Sequence, residues 1–144
     1  MLDVLILPLA AGLIAQLTKF FIKSNKQKFN LKNIISYSGM PSGHSAMVVS
    51  LTTIVGLEEG IDSSLFAVTF ILAIIIIRDA LGLRRYLGEH GRILNILVKD
   101  LKEDELLDNS YPRLLEKIGH TPKQVIAGSV IGFLVSVVGF LLFF

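Results

Sequence analysis

Two stretches of this chain are apolar for long enough to dictate the whole fold. Val4–Ile22 is interrupted by polar side chains only at Gln16, Thr18 and Lys19, and a second run extends from Val125 to Phe144. A helix that crosses a bilayer needs about 20 such residues. Within the hydrocarbon, each backbone N–H and C=O must find its partner inside the segment, which leaves helices as the natural solution for runs of this length. Two shorter runs lie between them. One begins at Pro41–Ser45 and reaches Leu57; the other is Ser64–Ile77, ending in four consecutive isoleucines before Arg78-Asp79. The former has about 14 apolar positions and crosses only if Pro41–Ser45 sits at membrane depth or the bilayer thins there. The latter reaches full length by continuing into Arg78–Leu83. The expected architecture is an all-α integral membrane bundle of four transmembrane helices plus an amphipathic interfacial helix. It forms a single domain over 1–144, with spans at about 4–23, 42–58, 63–83 and 121–144 and the interfacial helix at about 85–102. Composition agrees, with 52% hydrophobic and only 18% charged residues. The chain has no cysteine, which excludes a disulfide framework and thiol chemistry. No basic region precedes the first run, which therefore reads as a retained helix and not a signal peptide.

The charges give the expected orientation. All 14 cations flank the first and third connections: Lys19, Lys23, Lys26, Lys28 and Lys32 around one, Arg78, Arg84, Arg85, Arg92, Lys99, Lys102, Arg113, Lys117 and Lys123 around the other. The second connection, Glu58-Glu59-Gly60-Ile61-Asp62, has only acids, and Asp3 is the one charge ahead of the first span. The excess of cations on cytoplasmic loops then places connections one and three inside and both termini outside, in the cell (plasma) membrane. Between spans three and four, Leu87, Ile93, Leu94, Leu97, Val98 and Leu101 recur at helical spacing, with Arg92, Asn95, Lys99 and Asp100 off that stripe. This pattern predicts an amphipathic helix over Arg85–Lys102, on the cytoplasmic surface or docked under the bundle, with His90 on its exposed side. Glu103–Asp108 reads as a solvated acidic segment and Ser110-Tyr111-Pro112 as a turn.

Two histidines stand where a loop becomes an apolar helix: His44 in Pro41-Ser42-Gly43-His44-Ser45, and His120 in Gly119-His120-Thr121-Pro122-Lys123-Gln124. A histidine at a helix start, beside unpaired backbone N–H groups, suits work on an anion such as phosphate. The predicted topology puts both at the cytoplasmic face together with Arg78, Asp79, Arg84 and Arg85, and so permits one shared site. The three histidines are too scattered for a zinc motif. The three arginines also suit a simpler role as headgroup anchors. Gly128, Gly132, Ser136 and Gly139 form a small-residue packing face, for use within the bundle or across a homo-oligomer.

Pro41-Ser42-Gly43-His44 followed by Ser45 resembles the second signature of the type 2 phosphatidic acid phosphatase and vanadium haloperoxidase superfamily. His120-Thr121-Pro122-Lys123-Gln124-Val125-Ile126-Ala127-Gly128, with Gly132 after it, resembles the third. Asp79-Ala80-Leu81-Gly82-Leu83-Arg84-Arg85, with Gly88 and Asn95 following, is similar to the superfamily's small, divergent membrane branch, the acid phosphatase/vanadium-dependent haloperoxidase-related family. The resemblance extends from about Gly39 to Gly132. The chain departs from it at three places. The first signature, a lysine followed seven residues later by Arg-Pro, is absent. Arg113 is one place away from the arginine that precedes the third signature. Gln124 replaces the aspartate that follows the nucleophile.

The resemblance implies that His120 attacks phosphorus to form a phosphohistidine and that His44 protonates the leaving oxygen. Arg84, Arg85 and Arg78, with the N–H groups of Ser42, Gly43 and Ser45, would hold the phosphate. Thr121 and Gln124 would support His120, and Asp79 or Glu89 would supply the charge that Gln124 lacks. No metal or other cofactor is implied. The expected function is metal-independent hydrolysis of a membrane lipid phosphate or prenyl diphosphate at the cytoplasmic face, with phosphatidylglycerophosphate preferred on topology. The alternative is a non-catalytic lipid-phosphate-binding or transport protein that retains the pocket. The expected partners are a membrane lipid and the bilayer, and no nucleic acid.

Overall fold

The computed structural model describes residues 3–22, 39–103, 111–116 and 118–143. Lys23, Lys26, Lys28, Lys32, Ser110, Lys117 and the segment after Glu103 through Asp108 lie outside them. Among the described residues there are five helices: α1 (Asp3–Phe21), α2 (Gly43–Glu58), α3 (Ser64–Leu81), α4 (Leu83–Glu103) and α5 (Pro122–Phe143).

Local sequence sets most of these boundaries. Ser42 caps α2 by accepting the Ser45 N–H on its hydroxyl at 3.3 Å, and Ser63 does the same for α3 with Phe66 N–H at 3.1 Å. Gly82 ends α3 with a backbone outside the helical region and returns its N–H to Arg78 O, and α4 starts at the next residue. Thr121 and Gln124 open α5 with one half of a capping box: the Gln124 side chain accepts the Thr121 N–H at 2.9 Å, and the Gln124 N–H donates to Thr121 O at 3.0 Å.

Three stretches are long and apolar enough to cross a membrane: α1, the stretch from Ser64 through Leu101 that contains α3, and α5. The four-span expectation holds for these three. The second expected span, α2, has only 16 residues, about 24 Å of helix, short of the roughly 30 Å hydrocarbon core. It is nonetheless the centre of the bundle, packed against α1, α3 and α5.

Side-chain size explains that position. Ser42, Ala46 and Ser50 recur every four residues along α2, and Gly128, Gly132 and Ser136 do so along α5. The two stripes face each other in register. A Cβ on Gly128 would lie 2.2 Å from Ser42 O, and one on Gly132 2.2 Å from Ala46 O. Ser136 and Ser50 hydroxyls meet at 2.7 Å, and Ser136 also donates to Ser50 O at 2.8 Å. The small-residue face is thus occupied inside the chain, the first of its two expected uses, with Gly139 covered by Leu7 of α1. α1 buries Leu7, Ala11, Ala15 and Lys19, again four apart, with Ala11 and Ala15 packed on Ala46 of α2. On the other side, Thr52 donates to Thr69 O of α3 at 3.1 Å. Much of the interior is small or polar, with Lys19, Ser42, Ser45, Ser50, Thr69 and Ser136 all buried beside Ile54 and Val55, while Leu5, Leu13, Ile71, Ile75, Phe133 and Leu134 face outward. That distribution suits a hydrocarbon solvent, in which association depends on close packing and polar pairing.

The pairings also fix helix directions. α2 and α5 run parallel, while α1 and α3 run against them. The ends of α1 and α3 and the starts of α2 and α5 therefore meet at one end of the bundle.

Candidate functional site

That shared end gathers the chemistry. His120 lies immediately before α5. Its N–H donates to Ala80 O near the end of α3 at 3.0 Å, and Gly119 before it adopts φ +90 against the main chain of Arg84 and Arg85. Any side chain at 119 would meet both a strained backbone and a clash, so glycine delivers the histidine here. The His120 ring is buried, and its Nδ1 lies 3.3 Å from Gln124 Oε1. The same oxygen accepts the Thr121 N–H, which identifies it as the amide's oxygen end. An amide oxygen only accepts, so this contact favours, in the neutral ring, the tautomer with the proton on Nδ1 and the lone pair on Nε2.

His44 occupies the first turn of α2, exposed where His120 is buried. Start joins start directly: Ser42 N–H donates to Gln124 O at 2.9 Å. Arg84 pairs with Asp79 at 2.6 Å across the α3–α4 break. Arg84 and Lys19 lie within electrostatic reach of both histidines, Asp79 within reach of His44, and the histidines within reach of each other. Burial pushes the His120 imidazole below its ordinary value of about 6.5. Lys19, His44 and Arg84 push the same way, and the hydrogen bond to Gln124 opposes them.

The other expected site residues are placed differently. Of the three arginines, Arg84 is brought to the histidines, while Arg78 and Arg85 are exposed. Glu89 and His90 are exposed on α4. Ser42 and Ser45 are corrected from phosphate donors to builders of the helix start. The Ser42 N–H is engaged by Gln124 O, the Ser45 N–H by the Ser42 hydroxyl, and the Ser45 hydroxyl donates to Ser42 Oγ at 2.9 Å. Gly43 is buried against Gln16 of α1. Its N–H remains one of the first-turn donors. Lys19 was missed by sequence reasoning. A lysine near the end of a span reads as a headgroup anchor, yet this one is only 2% exposed. Its signal was the spacing Ala11, Ala15, Lys19, which continues the buried face of α1.

Comparison with known proteins identifies the family. The model of the divergent PAP2 family matches residues 2–135, and the chain belongs to that family. The uncharacterized membrane protein YuiD of Bacillus subtilis (strain 168) is 41% identical over 142 residues, covering 90% of this chain and 89% of its own. No solved structure matches the chain.

Proposed function

We propose that this member of the divergent PAP2 family hydrolyses a membrane lipid phosphate or diphosphate at the cytoplasmic face through a phosphohistidine. One observation carries the reading: His120 Nδ1 lies 3.3 Å from the Gln124 Oε1 that accepts the Thr121 N–H, which leaves Nε2 without that partner, beside a second histidine and two cations. In the proposed reaction, His120 Nε2 attacks phosphorus and the bond to the ester oxygen breaks. Protonated His44 gives its proton to that oxygen, which leaves as the alcohol. Water then attacks the phosphohistidine, His44 takes the water's proton, and inorganic phosphate leaves with His120 restored. Lys19 and Arg84 offset charge on the phosphate oxygens, and the Gly43 N–H adds a donor. The cation-rich connections favour cytoplasmic placement, with α2 as a fourth, shorter crossing. Phosphatidylglycerophosphate remains the preferred substrate among lipids made on that face.

Purified protein given a panel of lipid phosphates without added metal is expected to release phosphate, and vanadate is expected to inhibit. Gln124 is the feature that favours a binding or transport protein instead, because an amide cannot neutralise an imidazolium as a carboxylate does. Tight lipid-phosphate binding with no release from any lipid would decide for that alternative.

Two further outcomes follow from the electrostatics. His120 must be neutral to attack, and its proton is lost more readily than from ordinary histidine. The acidic limb of kcat/KM is therefore expected below pH 6.5, and a limb at or above that value would contradict the buried nucleophile. Lys19→Met keeps the volume and removes the charge. It is expected to lower kcat/KM by about 10²–10³-fold and to move the acidic limb up, because one of the cations opposing protonation of His120 is gone. Unchanged hydrolysis in this variant would remove Lys19 from the site.

A further inference from the structure

We propose that Asn95 on α4 is a positioning residue for His120, acting through the segment that carries the nucleophile. The main chain from Tyr111 returns along α4 toward α5, and Asn95 grips it. Asn95 Nδ2 donates to Leu114 O at 2.9 Å and to Glu116 Oε1 at 2.9 Å, while Asn95 Oδ1 accepts the Leu114 N–H at 2.9 Å. One carboxamide therefore satisfies both main-chain groups of Leu114, as a neighbouring strand would. Glu116 is further tied to Arg113 at 3.3 Å, and these two partners hold its carboxyl below the usual carboxylate range.

Beyond Asn95 the segment lies directly on the helix backbone. Gly91 and Gly88 continue the Asn95 face at spacings of four and three. A Cβ at Gly91 would stand 2.7 Å from Leu115 O, and one at Gly88 2.5 Å from Glu116 O. The chain then turns at Gly119 and His120 docks on Ala80 O at 3.0 Å. α4 is thus more than an amphipathic anchor. Its Asn95–Gly91–Gly88 face sets where the strap runs, and the strap sets where the imidazole stands. Asn95 touches neither the ring nor the phosphate site, so its effect must pass through main chain.

Releasing the strap would let water reach His120. The charged and titratable groups around that ring are Lys19 from α1, His44 from α2 and Arg84 from α4, with Asp79 of α3 paired to Arg84; Gln124 from α5 accepts its proton. None of these residues is replaced in an Asn95 variant, so a shift in His120 titration would report movement or solvation of the ring.

The test is the titration of each histidine, followed by nitrogen NMR on the histidine-labelled full chain in lipid nanodiscs. In Asn95→Ala, His120 is expected to titrate closer to ordinary histidine, because water then offsets the burial that lowers it. The kcat is expected to fall about 10²-fold with KM little changed, as for a misplaced reacting group. Asn95→Asp alone sets a carboxylate against Glu116 and is expected to be as damaging. Adding Glu116→Gln supplies an amide that donates to the new carboxylate but leaves Leu114 O without its donor, so it should restore only part of the loss. An unshifted His120 in Asn95→Ala overturns the proposal. So does a lowered thermal unfolding midpoint of the whole bundle in Asn95→Ala, since that leaves Asn95 only a general structural role. The kcat arm rests on the phosphatase reading, whereas the titration arm does not. Absence of turnover in the wild type would sink that reading and leave the positioning test standing.

Discussion

His120→Ala is expected to reduce lipid-phosphate hydrolysis by at least about 10⁴-fold while leaving the protein folded. The magnitude follows from the chemistry: without an Nε2 lone pair no phosphohistidine forms, and Lys19 and Arg84 can bind the ester but cannot attack it. The fold survives because the bonds that place residue 120 are main-chain ones. The N–H to Ala80 O and the half capping box of Thr121 and Gln124 do not involve the imidazole. Turnover measured with a saturating lipid phosphate checks this, alongside thermal unfolding in the same nanodiscs. Full activity in the variant would remove the nucleophile. His44→Ala should behave differently, slowing natural alcohol leaving groups far more than aryl phosphates, whose leaving oxygen needs little protonation. Equal slowing of both would argue against its role as the acid.

The second large effect lies in the membrane interior. Gly132→Val is expected to cost about 3 kcal/mol or more and to abolish assembly of the bundle end. The first atom of any side chain there would sit 2.2 Å from Ala46 O and 3.0 Å from Ser50 N, and neither can move without shifting α2 as a helix. Because Ser42 and Gln124 join the two helix starts, separating α2 from α5 also separates His44 from His120. Activity should therefore be lost even in any folded remainder. Val130→Leu, on the exposed face of α5, is the matched control and is expected to stay within about 0.5 kcal/mol of wild type. Thermal unfolding in nanodiscs separates the two. A well-folded, fully active Gly132→Val would contradict the in-register packing of the two stripes.

Much of this arrangement was legible in the chain. Runs of membrane length predict the helices, and the Leu/Ile periodicity predicts α4. The two histidines share an end because helices joined in antiparallel succession return every second connection to the same side. What escaped was information about faces. Lys19 reads as one of the first connection's cations until its place on the Ala11–Ala15 stripe is known. Ser42 and Ser45 read as phosphate donors until Gln124 O and a neighbouring hydroxyl are seen to take them. Arg78 and Arg85 are indistinguishable from Arg84 by type, and the bend at Gly82 decides which of them reaches the histidines. The short α2 is central because Ser42, Ala46 and Ser50 let a glycine-rich helix approach its backbone, a complementarity that neither stripe reveals alone.

The claim on which the rest depends is that His120 becomes phosphorylated during turnover. Wild-type protein mixed with a lipid phosphate radiolabelled in its phosphoryl group, and quenched in alkali within a turnover, measures this directly. The account predicts label on the peptide containing His120, stable to base, released by acid and absent from His120→Ala. Phosphate released with no labelled protein at any time, or lipid phosphate bound tightly with neither label nor release, would contradict it.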